Sequence, residues 1–312
     1  MNMRKLAAGL AGMIVGVGFS AQALATELMG QPTPDYIGLQ QAASPLKHSA
    51  IFFHDAILMP IITAISIFVA ILLGIIVVRF NKKSNPVPAK FSHNTALEVA
   101  WTLIPVGILL FISIFSFKLL FAYHDMPKPD LTVKATGYQW YWGYTYPDQK
   151  IDEITSVMLS EADAKKEGRP YRLAADNSLV VPVGKVVKVL VTGSDVIHNF
   201  AMPAFGLKTD AIPGRINETW FKAEKTGMFY GQCSELCGVD HAFMPIQIKV
   251  VTQEEFDAWV LTKAPPAAAA PAVTPVATPA APAAPATPAA AAAPAPQKTA
   301  QLDVAAKPVA MN

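Results

Sequence analysis

Charge is scarce in this sequence and cysteine nearly absent. Only 15% of the 312 residues are charged while 52% are hydrophobic, and the long charge-free runs between positions 56 and 117 exclude a fully soluble globule. Two cysteines, Cys233 and Cys237, exclude a scaffold of several disulfides and leave one bridge or one metal site. The segment 264–312 has no aromatic residue and only Lys298, Asp303 and Lys307 as charges among 22 Ala and 11 Pro. It cannot bury a core, and its prolines interrupt any helix the alanines would start, so a disordered Ala/Pro-rich tail is expected there. A basic surplus is missing too: net charge is +2, and Asp125 to Lys263 holds 18 acidic against 15 basic side chains. Nucleic acid is disfavoured as a partner, because phosphate binding needs a basic face.

What is present first is an address. Arg4 and Lys5 precede an apolar stretch from Leu6 to Phe19 and then Ala23-Leu24-Ala25, which predicts a signal peptide over 1–25 and an exported segment over 26–55. Ala56 to Val78 and Val99 to Phe117 are 23 and 19 residues without charge, each about the ~20 residues a membrane-crossing helix needs. They predict a transmembrane hairpin over 56–122, with helices at about 56–79 and 99–120. Arg79, Lys82, Lys83 and Lys90 face a single Glu98 in the connection, so the positive-inside rule puts that loop in the cytoplasm and both flanks on the exported side.

Over 127–263 the pattern changes to short β-branched and aromatic runs between turn residues. Strands are expected at Leu131–Val133, Tyr138–Tyr146, Val180–Val183, Val186–Val191, Thr219–Phe221, Gly227–Tyr230 and Ile246–Val251, and many strands of this spacing predict a sandwich or small barrel. Thr252 and Glu255 form a capping-box pattern before a closing helix over Glu254–Thr262.

Chemistry concentrates in Gly231 to Pro245, where Cys233, Glu235, Cys237, His241 and Met244 fall on one strand-linking segment. Thiolate, thioether and imidazole donors together favour copper, and Cys, His and Met close together resemble the pattern of blue-copper electron carriers. His198, at the end of a strand upstream, is the candidate second imidazole. Two thiolates four positions apart could bridge two ions, each capped by one imidazole, with Met244 and the Glu235 carbonyl as weak axial ligands. A disulfide and a tetrahedral zinc on Cys2His2 are the alternatives, although Met244 and the C-x3-C spacing suit zinc less well.

These motifs resemble subunit II of aa3-type cytochrome c oxidases in their bacterial form, over about Asp35 to Thr262. The Cys-Ser-Glu-Leu-Cys-Gly run through His241 and Met244 matches the family's dinuclear CuA loop, and Asp195-Val196-Ile197-His198 the segment of its first histidine. Leu207 to Arg215 matches the segment that faces the catalytic subunit. The resemblance implies a two-helix transmembrane hairpin carrying an all-β cupredoxin-like sandwich, held in the bacterial inner membrane with N-terminus and copper domain in the periplasm. It implies that cytochrome c docks over Trp140, where the electron enters, and that the electron passes from CuA to haem in subunit I. That subunit holds haem a, haem a3 and CuB, with subunit III as a further partner. Asp148, Asp152, Asp176 and Asp195 fall at acidic docking positions, while Thr145 and Lys150 depart from them, and Tyr138 stands where relatives often have His. The Glu235 side chain matches a Mg2+ ligand shared with subunit I, and Glu98 the glutamate at the mouth of the K proton pathway. A quinol oxidase subunit would lack the copper ligands. A membrane-anchored copper-delivery protein predicts mononuclear copper and no aromatic segment, and a metal-free, disulfide-bearing sensor or binding module leaves Met244 and His198 unexplained.

Overall fold

The computed structural model describes residues 30–34 and 36–263. The expected leader over 1–25 and the expected tail over 264–312 lie outside the described residues. Two apolar helices are followed by a ten-stranded sandwich and a closing helix.

The first helix, α1, runs Pro45–Arg79, with one π-helical stretch at Phe53–Leu58. It begins well before the expected position 56, because Lys47, His48 and Asp55 end the charge-free run without ending the helix. Its start is fixed by the sandwich. Ser44 caps it by accepting from Lys47 N at 3.2 Å and donates to Phe205 O at 2.8 Å, and Leu46 is buried. The second helix, α2, runs Thr95–His124, also beyond the expected 99–120. Asn94 caps it, accepting from Leu97 N at 3.2 Å, and Pro105, with no N–H to give, lies inside it. Both are long and apolar enough to span a bilayer, and their apolar side chains face outward along the hairpin. At the far end Trp220 Nε1 donates to Tyr123 O at 3.1 Å, giving a terminal carbonyl of α2 the partner the helix cannot supply.

The strands are β1 Leu131–Tyr138, β2 Tyr141–Tyr146, β3 Ile151–Ser156, β4 Leu179–Pro182, β5 Val186–Gly193, β6 His198–Met202, β7 Leu207–Ala211, β8 Asn217–Lys222, β9 Gly227–Cys233 and β10 Pro245–Val251. They form two five-stranded sheets, β3-β2-β1-β5-β8 and β4-β10-β9-β6-β7. Alternation decides the faces: in β5, Val187, Val189 and Val191 are buried between half-buried neighbours. With Val133, Ala135, Trp142, Tyr144 and Tyr146 they meet Phe200, Met202, Phe229, Ile246, Ile248 and Val250 of the other sheet in one apolar core. A short helix, α3 Glu161–Lys166, lies in the β3–β4 connection, and α4 Gln253–Lys263 closes the domain. The Thr252–Glu255 capping box is formed in both directions, at 2.9 and 3.2 Å.

One expected strand is two. Tyr138–Tyr146 reads as a continuous aromatic run, but Gln139 and Trp140 turn the chain so that Tyr138 pairs with Tyr141 in an antiparallel hairpin. Three strands, β3, β6 and β7, were not among the expected ones. The strand β6 is buried throughout yet contains His198 and Asn199, so its polar residues hide the hydrophobic pattern that marks a core strand.

Candidate metal centre

The centre is built at the point where β6, β9 and β10 lie side by side. Cys233 ends β9, and the loop to β10 contains Cys237, a 3-10 turn at His241–Phe243 and Met244. In the next strand Phe200 pairs with Cys233 and Ala201 with Gln232, antiparallel. That register, carried two residues further, sets His198 over the stretch between the two cysteines. A chain separation of 35 residues therefore becomes a contact: His198 Nδ1 is 3.9 Å from Cys233 Sγ.

The remaining donors converge on the same two sulfurs. Cys233 Sγ and Cys237 Sγ are 3.9 Å apart, nearly twice the ~2.05 Å of a disulfide, and both thiols are free. His241 Nδ1 lies 3.5 Å from Cys237 Sγ, Met244 Sδ 3.5 Å from the same sulfur, and the Glu235 carbonyl 3.4 Å from Cys233 Sγ. Donors bound tetrahedrally at about 2.0–2.3 Å stand roughly 3.3–3.8 Å from one another, so this spacing suits ions among them. His198, Cys233 and Cys237 keep their donor atoms within 4.8 Å of one another, and each sulfur has its own imidazole. The donor set of two thiols, two imidazoles, a thioether and a carbonyl fits a soft, copper-like pair of sites better than one closed zinc site.

Burial and hydrogen bonding prepare the thiols. Burial pushes the Cys233 thiol up, but the imidazole of His198 and backbone groups at Glu235 and Asn199 outweigh it and bring it down to about 7. Burial, then the neighbouring Cys233 sulfur, pushes Cys237 up to about 12. Two neighbouring thiols in one buried place resist ionising together, and a bound cation would displace the proton they keep.

Around the donors lies a second layer. Asp195 Oδ1 faces His198 Nε2 at 2.8 Å, and Asp195 Oδ2 accepts from Gln139 N at 2.7 Å. Gln139 Nε2 and Trp140 Nε1 both donate to the Cys237 carbonyl, at 2.8 and 3.2 Å. Trp142, fully buried, donates to Met244 O at 3.3 Å and sets its ring edge-on to His198 at 6.1 Å. Trp140 lies against the loop: a Cβ at Gly238, whose φ is +123°, would come within 2.9 Å of its ring. The residues that sequence reasoning nominated as donors, and Trp140, come together here; Asp195 was given only a docking part and Trp142 none. The signal that could have found the first was its place three residues before His198.

The other nominated residues are dispersed. Asp176, exposed, accepts from Val157 N and Asn177 N at 2.8 and 2.7 Å, near the end of β3 that pairs with Trp142. Asp148 accepts from Thr132 N at 3.2 Å, and Asp152 follows Ile151, the partner of Tyr146; both lie toward the opposite end of the sheet. Glu98, in the first turn of α2, accepts from Asn94 N at 3.3 Å at the membrane end farthest from the sulfurs. The Glu235 side chain points to solvent, beside Leu236 and Val239 that are 78% and 83% exposed.

Comparison with known proteins gives the same outline. Residues 131–251 match the family model for the periplasmic domain of cytochrome c oxidase subunit II, and residues 32–119 the model for its transmembrane domain. The chain is 44% identical to cytochrome c oxidase subunit 2 of Cereibacter sphaeroides over 81% of its own length and 89% of that protein. It is 51% identical to a probable cytochrome c oxidase subunit 2 of Rickettsia conorii, over 75% of this chain and 73% of that one. A crystal structure of the periplasmic domain of cytochrome oxidase subunit II (CoxB) of Bradyrhizobium japonicum is 63% identical, covering 44% of this chain and 96% of that one at a TM-score of 0.41. A membrane-anchoring hairpin, a sandwich with paired thiols at its end and relatives matched over most of their length lead to one statement: the chain belongs to the cytochrome c oxidase subunit II family.

Proposed function

We propose that this chain is the subunit through which electrons enter a haem-copper oxidase, accepting them from cytochrome c and passing them to haem in subunit I. The observation that carries this is the pair of free thiols 3.9 Å apart with one imidazole at each and Trp140 hydrogen-bonded to the loop between them. His198, Cys233, Cys237, His241, Met244 and the Glu235 carbonyl would hold a dinuclear copper centre. Bound there, such a centre supplies a store for one electron shared over two ions.

The chain's own residues do the rest. The two strands and the short loop hold the donors before any metal arrives, which keeps reorganisation small. Met244 and Cys233 are buried and exclude water, while Trp140, half-buried, joins the outside to the Cys237 carbonyl. Acids near Trp140 attract a lysine-rich donor. Glu235, exposed beside two apolar residues, is placed in this proposal as a Mg2+ ligand completed by subunit I, and Glu98 as a proton-accepting group at the cytoplasmic edge. Oxygen reduction and most proton pumping belong to the partner subunits, and the copper domain faces the periplasm of a bacterial inner membrane.

The test is metal content and EPR on the full chain in detergent after copper loading. Two coppers per chain sharing one unpaired electron, with hyperfine splitting from two equivalent nuclei, are expected. One copper per chain, with a mononuclear spectrum, would return the chain to copper delivery.

A further inference from the structure

The short turn that carries His241 and leads into Met244 is gripped from outside by the β3–β4 connection, residues 157–178. Between those two donors stands Phe243, half-buried and with no donor atom in its side chain. Its amide closes the turn on Asp240 O at 2.9 Å. The exposed guanidinium of Arg172 lies 5.4 Å from the centroid of its ring and 5.7 Å from that of Tyr171. At under ~6 Å the face of an aromatic ring attracts a cation. Glu167, an acid of the same connection, is taken by Arg169 at 2.6 Å, so rings rather than a carboxylate hold the Arg172 side chain.

Arg172 reaches Phe243 from a strained backbone. Its φ is +70°, in the left-handed region, where the Cβ of an ordinary residue crowds the following carbonyl. Lys150 shares a positive φ, but it ends the β2–β3 turn, its N–H on Pro147 O at 3.2 Å, where hairpins regularly place such a residue. Arg172 belongs to no hairpin. It sits in a turn whose Pro170 carbonyl accepts from Leu173 N and Ala174 N at 3.2 and 3.0 Å. Glycine would take the position without strain, yet it would put nothing over Phe243.

The connection has a second hold three residues beyond Met244. Buried Gln247 accepts from Ala175 N at 3.0 Å and from Arg169, and donates to Ser178. From inside the sandwich, Trp142 donates to Met244 O at 3.3 Å. Met244 is therefore fixed from within by Trp142 and from outside by grips on either side of it, at Phe243 and at Gln247. The inner grip and the one at Gln247 are buried hydrogen bonds. The grip at Phe243 is open to solvent, and it is the one that bears on the turn joining the two donors.

We propose that the β3–β4 connection is a strap over the metal loop, and that Arg172, acting through Phe243, is a positioning residue that keeps His241 and Met244 in place for copper. This rests on the reading of those two residues as copper ligands. A thioether is a weak axial ligand, so the protein rather than the bond sets where it stands, and that placement tunes the copper it meets.

The full chain in detergent tests it, first free of metal and then loaded with copper. In the metal-free chain Arg172→Gln is expected to speed amide exchange at Phe243 about twofold to fivefold, the strength of one exposed cation–π contact, with β5 unchanged. In the loaded chain it should speed copper release to a chelator by a similar factor and alter the copper hyperfine pattern in EPR. Arg172→Lys, which keeps a cation over the ring, should restore most of each. Arg172→Gly, which relieves the backbone, should loosen the loop as Arg172→Gln does. Phe243→Leu should reproduce the loss, and the double variant should be no worse than either single one. Lys166→Gln, a charge lost from α3 in the same connection, should match the wild type. Wild-type exchange, release and EPR in Arg172→Gln, in a chain that holds a copper pair, would overturn the strap alone. Additive effects in the double variant would overturn the action of Arg172 through Phe243. A wild-type chain that binds no copper at these residues would remove the ligand reading and the positioning role with it.

Discussion

The two nitrogens of His198 face different partners, a sulfur on one side and the Asp195 carboxylate on the other. A carboxylate behind an imidazole fixes its tautomer and orientation and raises its basicity toward a metal. Asp195→Asn keeps the shape and removes the charge, so copper affinity should fall roughly tenfold to a hundredfold, as measured by competition with a chelator; unchanged affinity would leave Asp195 to docking alone. Cys233→Ser and His198→Ala should each abolish the mixed-valence copper spectrum, whereas Trp140→Ala should keep it and slow cytochrome c oxidation. At this scale the candidate donors stand out because soft ligands of three kinds crowd one short segment. Asp195, Gln139 and Trp142 do not, because their parts depend on which carbonyl or ring nitrogen the fold brings near, and a side chain's type does not say that.

Between elements, the long connection from β3 to β4 is held down by a few polar groups. Gln247 on β10 is buried, accepts from Ala175 N at 3.0 Å and from Arg169, and donates to Ser178. Arg169 also reaches Glu167 at 2.6 Å and the Ala175 carbonyl. Gln247→Leu would leave a buried amide and part of a guanidinium without partners, a loss of about 2–3 kcal/mol. Amide hydrogen exchange around Ala174 and Ala175 should then quicken by roughly thirtyfold to a hundredfold, with the core strand β5 little changed; equal quickening everywhere would mean global rather than local destabilisation. The strand of strict alternation, β5, could be read in advance. The strand β6 could not, since a core strand that carries a metal-ligand candidate and an asparagine lacks the pattern by which core strands are recognised.

For the molecule as a whole, charge asymmetry in the α1–α2 connection predicts an orientation that can be tested. Cysteine placed at Lys83 should react with an impermeant maleimide only in inverted membranes, while one placed at Lys222 on β8 reacts only in right-side-out ones, as read by peptide-resolved labelling. The reverse pattern would invert the topology. The hairpin was legible from its charge-free runs, but its true length was not, because polar residues continue each helix where the sandwich takes over. There the Ala43 amide bonds Ala204 at 2.9 Å, the Ala43 carbonyl accepts from Glu224 N at 3.0 Å, and Trp220 holds Tyr123. The sandwich is therefore stitched to the start of one helix and the end of the other. Two seams at separate points oppose swivelling as well as lifting, which in the electron-entry proposal would hold Trp140 at a constant height above the lipid. On that proposal a donor gliding along the membrane surface would have a two-dimensional search, with the target always at the same altitude and facing the same way.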